Sequence, residues 1–202
     1  MTCIVGIAHP GGVTIGGDSA GVAGHDLTLR KDSKVFALEG GRVVFGFTSS
    51  FRMGDLLRYG LDLPNRDRSG DLDRWMRTAF IDAVRGCLKA GGYATVNNGV
   101  ETGGVFLVGI EGRLFRVESD FQVGESAHGV DAVGCGASFA LGALLALGGA
   151  AIGMGDHAAL AEHRARQALR IAETCSAGVR GPFRVCHAQV LRPTPPEDQR
   201  AS

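Results

Sequence analysis

An α+β domain in four layers, two β-sheets packed face to face with helices over both outer sides, is the fold the sequence predicts. Three observations carry it. The chain has 202 residues, enough for one domain with a substantial core and short for two. Its elements run as four strands, two helices, strands, two helices and a strand, so helices and strands are grouped rather than alternating. Runs such as "CIVGIA" and "VFLVGI" are apolar at successive positions, which buries both faces of each strand, one against a partner sheet and one under helices.

The first two strands are "CIVGIA" and "GVTIGGD", separated by the turn signal "HPGG". "KVFAL" and "RVVFGF" follow, joined by "EGG". From Ser50 the period becomes helical: "SFRMGDLLRYG" has a serine cap and a closing glycine. Leu72, Trp75, Met76, Ala79, Phe80, Ala83, Val84, Cys87 and Leu88 then keep helical spacing in a second helix. The polar "DLPNRDRSGD" between the two is an exposed loop. Strands return with "GGVFLVGI", "RLFRV" and a third near "DAVGCG". Ser138 caps an apolar helix through Leu147, and a helix from Asp156 to Thr174 sets Ala161, Ala165, Ala168 and Ala172 on one close-packing face. A last strand, "PFRVCHAQV", closes a single domain over 1–191, followed by the tail "RPTPPEDQRAS" over 192–202, read as disordered.

Formal charge is zero, with 21 basic and 21 acidic residues dispersed along the chain, so no basic stripe points to nucleic acid or an anionic membrane. The most apolar run, "FALGALLALGGAAIGMG", is broken by glycines and falls short of the roughly 20 residues of a membrane span. "MTCIVGIAHP" has no basic leader, and a soluble, cytoplasmic protein is expected. Five cysteines without a C-x-x-C pair and six histidines without metal-ligand spacing read as buried thiols and no structural metal.

"IGGDSAG" resembles the surroundings of a serine protease nucleophile, which makes Ser19 one candidate. In the chymotrypsin order a histidine and a carboxylate precede the serine, and here only His9 does, on the turn at the far end of the same hairpin. That leaves Ser19 the weakest of the nucleophile candidates. The terminus offers another. Removing Met1 would start the first strand at Thr2, whose hydroxyl would sit beside its own α-amine, a base with an ordinary pKa of roughly 7.7–8.0. A nearby cation favours the alkoxide, and Lys34, with Asp18 to hold it, supplies one. Only three of the 21 basic residues are lysines, and a guanidinium is too broad for this point-charge task. Cys3, next along the strand, points to the opposite face and reads as core.

"MTCIVGIA", "IGGDSAG", "KVFAL" and "VVFGFTSS" together resemble the N-terminal half of a proteasome β subunit, above all the bacterial HslV-type threonine peptidase. Asp18 lies 16, Lys34 32 and Gly46 44 positions after Thr2, in the HslV-type register without a gap. The resemblance extends over nearly the whole chain and implies the αββα sandwich of the N-terminal-nucleophile hydrolases. It makes Thr2 the nucleophile and base, Asp18 and Lys34 its charged pair, the Gly46 N–H the oxyanion donor, and Ser19 a hydrogen-bond support for the amine. Cys135 in "GCGAS" takes the place of a supporting serine, with a thiol that is the weaker donor. Glu173 and Ser176 in "ETCSAGVRG" take the places of an aspartate and a serine, and Ala177 that of a glycine. The backbone carbonyls of Glu173, Ser176 and Val179 correspond to those that bind a monovalent cation in some relatives; no cofactor is otherwise implied. A substrate peptide would add as a strand along Ala20, Gly21 and Val22. The resemblance also implies a homo-oligomeric ring of six or more copies, active sites on an inner chamber, unfolded protein or peptide as substrate and an ATPase unfoldase as partner. A small-molecule amidohydrolase on the same fold and an inactive ring-forming subunit that keeps Met1 remain the alternatives.

Overall fold

A computed structural model describes residues 1–151 and 155–190, so the expected tail at 192–202 lies outside the described residues. In chain order the strands are β1 (Cys3–His9), β2 (Gly12–Gly17), β3 (Ala20–Ala23), β4 (Asp26–Leu29), β5 (Val35–Leu38), β6 (Val43–Phe47), β7 (Thr95–Asn97), β8 (Val100–Thr102), β9 (Phe106–Ile110), β10 (Arg113–Val117), β11 (Val123–Glu125), β12 (Val130–Gly134) and β13 (Arg184–Gln189). The helices are α1 (Phe51–Tyr59), α2 (Leu72–Trp75), α3 (Ile81–Ala90), α4 (Ala137–Ala146) and α5 (His157–Cys175). One antiparallel sheet has the order β12-β1-β2-β13 and the other β11-β10-β9-β6-β5; β3-β4 and β7-β8 are separate hairpins.

Period-two alternation explains why these strands are apolar throughout. Cys3, Val5 and Ile7 of β1 face α4 and α5, where they meet the alanines Ala161, Ala165, Ala168 and Ala172. Ile4, between them, turns the other way and joins Val13, Ile15, Val35, Val44, Leu107 and Leu114 in a cluster contributed by both sheets. Val43, Phe45 and Phe47 of β6 project away from that cluster onto Met53 and Leu57 of α1, Phe80, and Val84 and Leu88 of α3. The fold is therefore mixed α/β, with three apolar clusters.

Helix α1 starts where expected, its Ser50 cap accepting from the Arg52 N–H at 3.1 Å, and Asp156 caps α5 through the Ala159 N–H at 3.0 Å. Two expectations are corrected. The helix over 72–88 is interrupted by a π-helical turn, Met76–Phe80, between α2 and α3. Its buried residues Leu72, Met76, Phe80, Val84 and Leu88 recur every fourth position, and each such step overshoots a 3.6-residue turn by roughly 40°. One wider turn absorbs part of that drift and keeps the side chains over the sheet. Ser138 does not cap α4: the helix begins at Ala137 behind Gly136, with no side-chain cap, and Ser138 is exposed within the first turn.

Gly46 sits at a close approach between the sheets. A Cβ there would lie 2.5 Å from Ile4 Cγ2 and 2.6 Å from Ile15 Cγ2, both branched at the backbone and unable to swing aside. Gly46→Ala is expected to destabilise by about 1–3 kcal/mol, read as a lower urea midpoint at unchanged slope. An alanine variant as stable as the parent would contradict this packing.

At the other end of the first sheet a polar relay crosses three strands. The Gly11 N–H donates to His9 Nδ1 at 3.2 Å, so the His9 proton sits on Nε2 and donates to Thr14 Oγ1 at 3.0 Å. Thr14 then gives its single proton to His187 Nδ1 at 2.9 Å, and His187 Nε2–H faces Glu162 Oε2 on α5 at 3.3 Å. Burial, with His187 and His157 adding to it, pushes the pKa of His9 from 6.5 down to about 4, against a weaker opposing pull from Asp156. The unfolded chain therefore binds one more proton than the folded one between those two values. Stability from this group is fully present above pH 6.5 and falls by about 3 kcal/mol as pH drops to 4. A His9→Gln variant should flatten that acid limb in a urea series; an unchanged limb would refute the assignment.

Candidate active site

The turn after β2 and the start of β5 bring the charged residues under the chain terminus. Strand register continues past the Ile4↔Gly17 pair, so Asp18 lies beside Cys3 and its N–H donates to Cys3 O at 3.2 Å. Asp18 Oδ1 accepts from Lys34 Nζ at 2.8 Å and from the Cys3 N–H at 3.0 Å, while Oδ2 accepts from the Ala20 N–H at 2.9 Å and the Arg180 N–H at 3.4 Å. Lys34 is only 1% exposed. Burial pushes its pKa down, and the Asp18 carboxylate pulls it back up.

Thr2 is 6% exposed and lines a cleft of about 80 Å³ together with Met1, Ala20, Gly21, Val22, Lys34, Phe47, Thr48, Ser49, Ser50 and Phe51. Its hydroxyl donates to Met1 O at 2.6 Å, and its N–H points at Cys135 Sγ, 3.3 Å away. Cys135 also reaches Thr2 O at 3.4 Å and Ser176 Oγ at 3.5 Å. Cys3 lies on the opposite face of β1, and its thiol is pushed up to about 12 by burial first, then by Asp18 and Cys135. β4 covers one edge of β3; the residues Ala20, Gly21 and Val22 are also part of the cleft wall.

Four expected placements change. Gly46 does not line the cleft: it faces the contact between the sheets, and alternation along β6 turns its N–H toward Leu107 of β9. Ser49 stands in the cleft wall instead, with a left-handed φ of 66°, and among the described residues its N–H has no acceptor. Its Oγ accepts from the Val105 N–H at 3.2 Å, which fixes the turn. Ser19 donates its hydroxyl to Pro182 O at 2.5 Å rather than to the terminal amine. Glu173 does not contact Thr2; its Oε1 accepts from the Gly181 N–H at 3.0 Å. Of the three carbonyls assigned to a cation, those of Glu173 and Val179 accept from Arg180 Nη1 at 3.3 and 3.2 Å, and that of Ser176 accepts from the Val179 N–H at 3.2 Å. Among the described residues no group of three or more His, Cys, Asp and Glu side chains is arranged to hold a metal.

Ser49 and Arg180 are the residues that the sequence did not single out. A residue between the last strand position and the Ser50 helix cap has to reverse the chain, and that is the signal for Ser49. Arg180 sits in a glycine-rich loop and gives no such signal. A second cavity of about 380 Å³, walled by Arg42, Leu63, Arg66, Trp75 and Val190 among others, holds none of the expected site residues.

No family model and no curated protein matches the sequence. The fold is similar to BPH of Thiobacillus denitrificans, at TM-score 0.73 and 19% identity over 95% of this chain and 100% of that one; a second structure of that protein is a complex with epoxomicin. It is also similar to eukaryotic HslV from Trypanosoma brucei, at TM-score 0.64 and 19% identity over 93% of this chain and 99% of that one. Anbu from Yersinia bercovieri matches at TM-score 0.63 and 16% identity over 93% of this chain and 81% of that one. At these identities the likeness is one of fold, and the fold is proteasome-like.

Proposed function

We propose that this chain, with its proteasome-like fold, is a threonine-type peptidase of the N-terminal-nucleophile class whose nucleophile is Thr2 once Met1 has been removed. The observation that carries this is the buried Asp18–Lys34 pair, whose lysine lines the same cleft as Thr2. Cleaving the Met1–Thr2 bond removes the carbonyl that now holds that hydroxyl and converts the Thr2 N–H into an amine. The amine takes the hydroxyl proton, Oγ1 attacks the peptide carbonyl, and the Ser49 N–H receives the developing oxyanion. The protonated amine gives its proton to the leaving nitrogen. Water, deprotonated by the same amine, then hydrolyses the ester and frees the enzyme. Lys34 stabilises the oxygen of Thr2 throughout, and Asp18 holds Lys34. The substrate adds along Ala20, Gly21 and Val22.

The three apolar clusters support a four-layer αββα sandwich. Helix α4, "ASFALGALLA", is apolar on every side, and Phe139 and Leu145 are 44% and 42% exposed on its outer face, which supports burial against further copies of the chain in a ring. An ATPase partner rests on the resemblance alone.

Intact mass and peptide turnover measured on one preparation test the proposal, with the active chain expected to start at Thr2. Full activity in a chain that keeps Met1 would overturn it. The small size of the cleft favours the amidohydrolase as second reading, which turnover of small amides without any of peptides would establish.

A further inference from the structure

We infer that Arg180 is a positioning residue of this site, its guanidinium locking the Val179–Gly181 segment onto the C-terminal end of α5 so that the segment's backbone holds Asp18 and Ser19. The side chain and the main chain of Arg180 do different things. Nη1 bridges Glu173 O and Val179 O at 3.3 and 3.2 Å. Glu173 lies in the last turn of α5, where carbonyls lack helical partners and carry the negative end of the helix dipole. That turn contains no basic residue of its own, so the cation arrives from outside the helix. The same segment is tied to the helix again by the Gly181 N–H on Glu173 Oε1 at 3.0 Å.

The main chain faces the site. The Arg180 N–H donates to Asp18 Oδ2 at 3.4 Å, and Arg180 O accepts from the Ser19 N–H at 2.8 Å. Asp18 has four donors, of which Cys3, Ala20 and Lys34 belong to the strands and turn around it; Arg180 alone comes from the segment that leads into β13, the strand paired with β2. Losing the guanidinium frees two carbonyls and unpins the segment, and the carboxylate that orients Lys34 gains freedom. Arg180 touches neither substrate nor Thr2, so its loss is expected in kcat rather than in KM.

The inference rests on Thr2 as nucleophile wherever turnover is the readout, and a second readout is independent of it. In Met1-processed protein, Arg180→Ala should lower kcat about tenfold or more, the scale of a displaced active-site group, with KM within about twofold. Methylguanidinium at millimolar concentration should restore much of that loss, because one of its nitrogens can reach both carbonyls as Nη1 does. Arg180→Lys should fall between the alanine variant and the parent. Amide exchange at Ser19 should speed up in Arg180→Ala and slow again with methylguanidinium, whether or not the protein is active. Parental kcat in both variants, or exchange at Ser19 that neither the substitution nor the guanidinium changes, overturns the inference. If the parent itself turns over no peptide, the proposed function fails, and the exchange data still decide the role of Arg180.

Discussion

Thr2→Ala will turn over no peptide amide at any pH, while Thr2→Ser will retain measurable turnover. The alanine variant keeps the strand, the Asp18–Lys34 pair and the Ser49 turn, and removes the attacking oxygen together with the γ-methyl. The serine variant keeps that oxygen and loses a methyl group. Ser19→Ala supplies the contrast. Its hydroxyl donates to Pro182 O, so alanine there should slow the reaction modestly through the 180–182 segment. Folding of all three is checked by circular dichroism. A dead Ser19→Ala beside an active Thr2→Ala would move the nucleophile to Ser19.

Lys34→Arg is expected to lose about a hundredfold in kcat/KM, equivalent to about 3 kcal/mol of transition-state stabilisation. Charge is conserved in that substitution, so a lysine acting only as a surface cation would tolerate it. Lys34 is instead buried to 1% exposure, donates to Asp18 Oδ1 at 2.8 Å and has the Phe51 ring centroid 5.8 Å from Nζ. A planar guanidinium cannot enter that space as a compact charge. Near-parental turnover in this variant would refute the electrostatic role.

The layers were legible because burial on two faces leaves a mark on sequence: Cys3 and Ile4 are adjacent and apolar because they serve different clusters. The alanines of α5 were legible for the related reason that only small residues let a helix lie close to a sheet. Hairpins β3-β4 and β7-β8 were not, since exposed strands that pair only with each other need no apolar run. Within the site, spacing brought Thr2, Asp18 and Lys34 to one place, because strand register preserves sequence intervals between neighbours. Spacing assigned the oxyanion donor to Gly46, which the structure pairs with Leu107 in the ladder and does not bring to the cleft. Gly46 and Ser49 are three residues apart on the same stretch, and which of their N–H groups meets the cleft depends on where the ladder stops and the chain reverses. Ser19 was misjudged likewise: Pro182, its partner, is distant in the chain and contributes no local signal.

The relay from His9 through Thr14 to His187 links the histories of three positions. Thr14 must accept from one imidazole and donate to the other with a single hydrogen, so only a hydroxyl satisfies both rings as they stand. A side chain without a hydroxyl at 14 leaves two ring nitrogens without that mutual partner inside the sheet. Exchanging either histidine for an apolar residue takes from that hydroxyl one of its two partners. The three sites can therefore drift only by concerted replacement, and among relatives of this chain they are expected to covary as a block while the sheet around them changes residue by residue.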